Sequence, residues 1–234
     1  MLRKVDHKQM GTSHLGWLNS TFHFSFAEYY NPENIQFGAL RVINDDLIAP
    51  HTGFDLHPHR DMEIISYVVN GALTHQDSMG NKHTITRGQV QYMSAGTGVF
   101  HSEHNMGDEE LRMLQIWILP DRHGHTPHYG EFLFEMDERK NKWLHMVSDK
   151  NGTAPIQINQ DANLYAIELE AGKEIDFEVA KGRQAYLVDI EGHATINNNV
   201  TLETRDGLEI VEEDIHIKAE DTAHVLVIEM ARID

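Results

Sequence analysis

The sequence predicts an all-β protein built as two antiparallel β-barrel (jelly-roll) domains with few short helices. Three observations carry that prediction. Apolar and polar residues alternate in many short runs, the period of a strand with one face buried. No long stretch holds the 3.6-residue period of an amphipathic helix. Finally, Ile65–Thr74 reads like Tyr186–Thr195, each an apolar run that turns at a glycine, with an offset of 121 in a chain of 234 residues. A repeat of half the chain, made of short strands, points to two similar closed sheets.

The elements follow in order. Phe22, Phe24 and Phe26 alternate with Thr21, His23 and Ser25, and Leu40 and Val42 alternate with Ala39 and Arg41. Further strand-like runs are Glu63–Val69, Val90–Met93, Met113–Leu119, Leu164–Leu169, Ala185–Ile190, Leu208–Val211, Ile215–Lys218 and His224–Met230. Turn signals such as Met79-Gly80-Asn81 and Asn197-Asn198-Asn199 separate them. Gly96-Thr97-Gly98 reads as another turn, since it lacks the lysine and following helix of a phosphate loop. The best helix candidate is Glu131–Lys142. The polar stretch Pro120–Lys150, with Pro127, Gly124 and Gly130, reads as the connection, which places the domains at 1–130 and 131–234.

Composition narrows the chemistry. The net charge is −18, so direct nucleic-acid binding is not expected, because a phosphate backbone needs a basic surface. There are no cysteines, which excludes disulfides, thiolate metal ligands and cysteine nucleophiles. No apolar run has the length of a membrane helix. No hydrophobic segment follows the basic pair Arg3-Lys4, so no signal peptide and a cytoplasmic location are expected. The unusual number is 17 histidines, and imidazole is the commonest metal ligand.

Two segments concentrate them. In His57-Pro58-His59 the histidines are two apart, so an extended chain turns both to one face. His101 and Glu103 repeat that spacing after the Gly96–Gly98 turn. Two such pairs on neighbouring strands would give three imidazoles and a carboxylate. That set suits Fe(II), Ni(II), Cu(II), Mn(II) or Zn(II), and Fe(II) is the first candidate. Protonated imidazole cannot ligate, so binding is expected to weaken as pH falls through about 6.5 towards 5.

These residues carry a family resemblance. The two segments resemble the paired motifs of the cupin superfamily, and the chain as a whole resembles the pirin family, in its shorter bacterial branch. The stretches that match are Gly16-Trp-Leu, Phe24-Ser-Phe-Ala, Gly38 to Asp46, His57 to Glu63, His75 to Asn81, Met93 to Gly98, His101-Ser-Glu103 and Gln115-Ile-Trp117. The match is dense over residues 11–120 and thin beyond. Against the general cupin pattern, the first-motif carboxylate is one residue early, at Glu63. A one-residue shift turns a side chain to the opposite face, so Glu63 is expected to point away from the metal and Glu103 to supply the carboxylate, as in the pirin pattern. Asn105 is expected to serve a turn or support a ligand.

The offset carries His57 and His59 onto Glu178 and Ala180, and His101 and Glu103 onto Thr222 and His224. The resemblance therefore implies a bicupin, with a metal site in the N-terminal domain and a degenerate, metal-free C-terminal domain. His193, His216 and His224 are expected to be strand or turn residues. His123, His125 and His128 lie in the connection and are expected to form a solvated loop.

The resemblance implies quercetin 2,3-dioxygenase chemistry, in which O2 opens a flavonol heterocycle and carbon monoxide is released. His57, His59, His101 and Glu103 would hold the metal, and Glu103 would act as the base. The expected partners are a small flavonoid and O2. The alternative is a non-catalytic, metal-binding regulatory protein with a protein partner.

Overall fold

The computed structural model describes residues 1–232. The chain forms two compact units, and each is a seven-stranded antiparallel sheet with a four-stranded companion. Among the described residues, helix is limited to the 3-10 turns His7–Gln9 and Met136–Arg139, and no helix is long and apolar enough to cross a membrane.

In the first unit the large sheet runs in the order His128–Phe132, Val90–Ser94, Glu63–Asn70, Leu111–Ile118, Leu40–Ile48, Leu18–Phe22 and Gly11–His14. The small sheet runs Thr52–His59, Val99–Asn105, Ala72–Asp77 and Lys82–Thr86. Alternation sets which residues face inward. Leu18, Ile48, Val68, Leu111 and Met113 from the large sheet pack against Leu73 and Ile85 from the small one. Apolar area removed from water at these positions stabilises the unit by about 25 cal/mol per Å².

The second unit repeats the plan. Its large sheet runs Leu2–Val5, Gly207–Val211, Arg183–Glu191, Ala223–Ala231, Ala162–Leu169, Leu144–Asp149 and Ile156–Ile158. Its small sheet holds Glu174–Phe177, Ile215–Ala219, His193–Ile196 and Val200–Glu203. The core includes Ile167, Leu187, Ile196, Leu208, Ile217 and Val227, all buried. The repeated glycines have one cause in both units. Gly71 and Gly192 take φ of +82° and +86°, and a Cβ there would lie 2.9 Å from the Cα of Leu111 or of Ala223. Only glycine fits that conformation and that approach.

The compact units differ from a single cut at 130/131. Residues 1–10 belong with the second unit and residues 158–160 with the first. Leu2–Val5 pairs with Gly207–Val211, and Asp206 fastens the segment, accepting from Lys4 Nζ at 2.7 Å and from His7 N at 2.9 Å. A four-residue edge strand has too little alternation to be read from sequence.

The expected helix Glu131–Lys142 is not formed. Its first residues close the edge strand His128–Phe132 against Val90–Ser94, and only Met136–Arg139 turns. Free backbone at a sheet edge outcompeted a weak helical period. The histidines of the connection also divide. His123 is exposed near Asp61, and His128 starts the edge strand. His125 is buried and bonds Asp121 at 2.6 Å, so it departs from a solvated loop.

Candidate metal centre

The site is built on the small sheet of the first unit, with Val99–Asn105 at its centre. On one flank His101 is the direct partner of His57, and on the other it is opposite Asp77. Glu103 follows on the same face, opposite Phe54 on one flank and His75 on the other. A bulge between His101 and Glu103 shifts the register there. Gly53 allows it, because a Cβ would lie 2.3 Å from the Glu103 carbonyl oxygen. Pro58 stands in the outer strand of this sheet, where a missing N–H is tolerated.

The strand geometry brings three predicted residues together. Ring nitrogens of His57, His59 and His101 all lie within 4.8 Å of one another. The ring centroids are 4.5 Å apart for His57 and His101, and 4.8 Å apart for His57 and His59. Burial, reinforced by the neighbouring imidazoles, pulls His59 and His101 down to about 3. Both are therefore neutral near pH 7, the form that has a lone pair to give.

Glu103 faces inward and is almost wholly buried. One carboxylate oxygen accepts from Ser66 Oγ at 2.8 Å and from Gln91 Nε2, and the other accepts from Gln115 Nε2 at 2.6 Å. Within 4.8 Å its oxygen groups with His101 and with a histidine that the strand spacing alone did not single out, His75. His75 is fully buried, bonds Asp77 at 3.0 Å and stacks on Tyr129 at 4.5 Å. Its signal was present as His75-Gln76-Asp77, again two apart.

Glu63 does face elsewhere, as its one-residue displacement requires. It accepts from Tyr92 Oη at 2.8 Å, Ser94 Oγ at 2.7 Å and Asn159 N at 3.0 Å. Asn105 holds a turn, donating to the carbonyls of Ile48 and Glu109 and accepting from Gly107 N. In the second unit His193 bonds Asp221, His216 bonds Asp176 and His224 bonds Glu191.

The cluster opens on a cavity of about 290 Å³. Phe22, Phe26, Phe54, Leu15 and Trp117 supply apolar walls, and His57, His59 and Glu103 form its reactive end. A polar strip of Ser20, Asn44, Asp46 and Gln115 lines the same space. Burial raises Asp46 to about 7 despite a hydrogen bond from Ser20. Two polar atoms of the lining are buried without a partner, the acceptor Asn44 Oδ1 and the donor Trp117 Nε1.

Paired barrels of this topology, one with a histidine cluster at the mouth of an apolar cavity, define a two-domain cupin. The chain belongs to the pirin family. The family described as Pirin matches residues 4–118, and the one described as Quercetinase C-terminal cupin domain matches residues 136–230. A pirin-like protein of Caulobacter vibrioides is 44% identical, covering 98% of this chain and 99% of its own. An Escherichia coli K12 protein named quercetin 2,3-dioxygenase is 41% identical over 98% of this chain and 97% of its own. A Pseudomonas aeruginosa relative, 45% identical over 99% of this chain and all of its own, bears the same enzyme name in provisional form. The crystal structure of the bacterial pirin YhhW from E. coli in complex with nickel(II) superposes with a TM-score of 0.93 at 38% identity, with full coverage of both chains.

Proposed function

We propose that this protein is a metal-dependent dioxygenase that opens the heterocycle of flavonols with O2 and releases carbon monoxide. The observation that carries this reading is the convergence of three ring nitrogens within 4.8 Å at the end of an aromatic-lined cavity. The residues fit a divalent transition metal. Neither ring nitrogen of the buried His101 has a hydrogen-bond partner, a cost that ligation removes for one of them. His57, His59 and His101 would hold the ion through nitrogen, and Glu103 would complete the set. Fe(II) is a candidate alongside nickel(II), the ion held by the solved E. coli relative. Bound there, the metal would supply Lewis acidity and an open position for substrate oxygen.

The chain's own groups account for the rest. Phe26, Phe54 and Trp117 offer apolar faces for a flat aromatic ring beside the reacting end. Glu103 would take the proton of the flavonol hydroxyl, with Ser66, Gln91 and Gln115 fixing the direction of its carboxylate. Removing that proton makes the substrate electron-rich enough to react with O2.

The test is flavonol loss and carbon monoxide release under O2, using protein loaded separately with iron, copper, nickel and manganese and metal-free protein as control. Turnover that depends on metal supports the reading. Metal bound with no turnover for any of the four would overturn it in favour of a regulatory metal-binding protein.

A further inference from the structure

A histidine that holds a metal uses one ring nitrogen, and its other N–H needs an acceptor. Metal-bound histidines almost always find one, and that partner fixes the ring and tunes the ion. His101 is 1% exposed, and neither of its nitrogens has a hydrogen-bond partner. Leaving the second N–H stranded would cost about 1–3 kcal/mol. An acceptor must therefore come from the groups packed around the ring.

The flanking strand offers one. Ala72–Asp77 lies directly beside Val99–Asn105, with Asp77 opposite His101 and His75 opposite Glu103. The His75 ring centroid is 5.4 Å from that of His101, and a ring nitrogen of each lies within 4.8 Å of the other. The tautomer of His75 is fixed by its neighbour. Its Nε2 lies 3.0 Å from the Asp77 carboxylate, which can only accept, so Nε2 carries the hydrogen and, in the neutral ring, Nδ1 is left as an acceptor. That Nδ1 is buried and has no hydrogen-bond partner either. The other acceptors nearby are already engaged: Glu103 receives Ser66, Gln91 and Gln115, and Asp77 receives His75, Met79 N and Asn81.

We infer that His75 is a positioning residue, whose Nδ1 accepts the second N–H of His101 while Asp77 holds His75 in the required tautomer. The inference rests on the reading that His101 is a metal ligand. Two further contacts keep the relay rigid. Tyr129 stacks on the His75 ring with an interplanar angle of 20°, which sets its plane. Asp77 is anchored by the backbone N–H groups of Met79 and Asn81 at 2.9 and 3.1 Å, and by Asn81 Nδ2. Asp77 and His75 would pass carboxylate charge through His101 towards the metal without themselves touching it.

The experiment uses the full chain loaded with Co(II), whose visible ligand-field bands report the geometry and strength of the set. A chelator then measures metal release. His75→Ala should keep one metal per chain, shift the Co(II) bands and lose roughly 10- to 100-fold in metal affinity, the usual cost of removing such a partner. His75→Gln, whose amide oxygen can accept, should recover part of both, and Asp77→Asn should shift the bands the same way by less. Should His75→Ala not fold, the Gln and Asn variants carry the test. Unchanged bands and release in folded variants would reduce His75 to packing and overturn the inference. Loss of the metal in His75→Ala as complete as in His101→Ala would also overturn it, by making His75 a ligand. His101→Ala with full metal content would show that the underlying reading had failed, a result distinct from either.

Discussion

His57 and His101 are direct cross-strand partners whose ring centroids lie 4.5 Å apart. Two imidazoles so close are useful as ligands only while neutral, and without a metal they repel one another once protonated. His57→Ala or His101→Ala should therefore each remove most of the bound metal, with the fold retained. Elemental analysis of the purified variants checks this, and wild-type occupancy in both would overturn the ligand assignment.

Acid should destabilise the metal-free protein in a defined window. His59 and His101 sit near 3 in the folded state, chiefly through burial, against about 6.5 in the unfolded chain. Below 6.5 the unfolded chain takes up protons that the folded protein refuses. Stability should fall as pH drops from 6.5 towards 3 and then level off. The same depression means protons compete poorly for these two nitrogens, so metal should persist below the range of pH 6.5 to 5 that free imidazole suggests. Melting temperature and metal content measured across pH 3–8 test both statements.

Asp46 works in the opposite sense. Burial raises it to about 7, with Asp45 and Glu103 adding repulsion. As pH rises from 3.8 to 7 the unfolded chain ionises first, and stability declines. Asp46→Asn in metal-free protein should therefore melt close to wild type at pH 4 and higher at pH 8, by roughly 2–4 kcal/mol, since each tenfold change in proton affinity between folded and unfolded chain is worth about 1.4 kcal/mol. A gap that does not change with pH would contradict the assignment.

The two buried glutamates should separate cleanly. Glu103→Gln removes the base and should lower metal-normalised flavonol turnover by roughly 10²- to 10⁴-fold, with partial metal retention. Glu63→Gln should leave metal and turnover nearly intact. It should still lower the melting temperature, because an amide would set N–H against some of the donors from Tyr92, Ser94 and Asn159, at about 1–3 kcal/mol. A crippled Glu63→Gln enzyme would mean that the strand faces are exchanged.

The sequence made much of this visible, because strands write their faces at a period of two. His57, His59, His101 and Glu103 each stand two apart in their pairs, and the one-residue displacement of Glu63 sufficed to turn it away. What stayed hidden depends on contacts distant in sequence. Nothing local shows that His75 lies opposite Glu103, or that Asn159 reaches Glu63 across 96 positions. Leu2–Val5 was hidden for the same reason, since its partner lies about 200 residues on. The connection misled in the other direction, where a faint helical period at Glu131–Lys142 gave way to the end of an edge strand and one 3-10 turn.

That first strand also orders events during synthesis. Leu2–Val5 leaves the ribosome about 200 residues before Gly207–Val211, so the segment waits through that stretch of synthesis for its partner. Meanwhile Gly11–Phe134 has emerged with nearly all of its own unit and can close first. The waiting strand carries Arg3 and Lys4, and charge at an unpaired edge discourages pairing with the wrong chain. Completion of the second barrel is thus tied to the arrival of Gly207–Val211, and a nascent chain stalled before residue 207 would hold the histidine cluster of the first unit and a loose Leu2–Val5 strand.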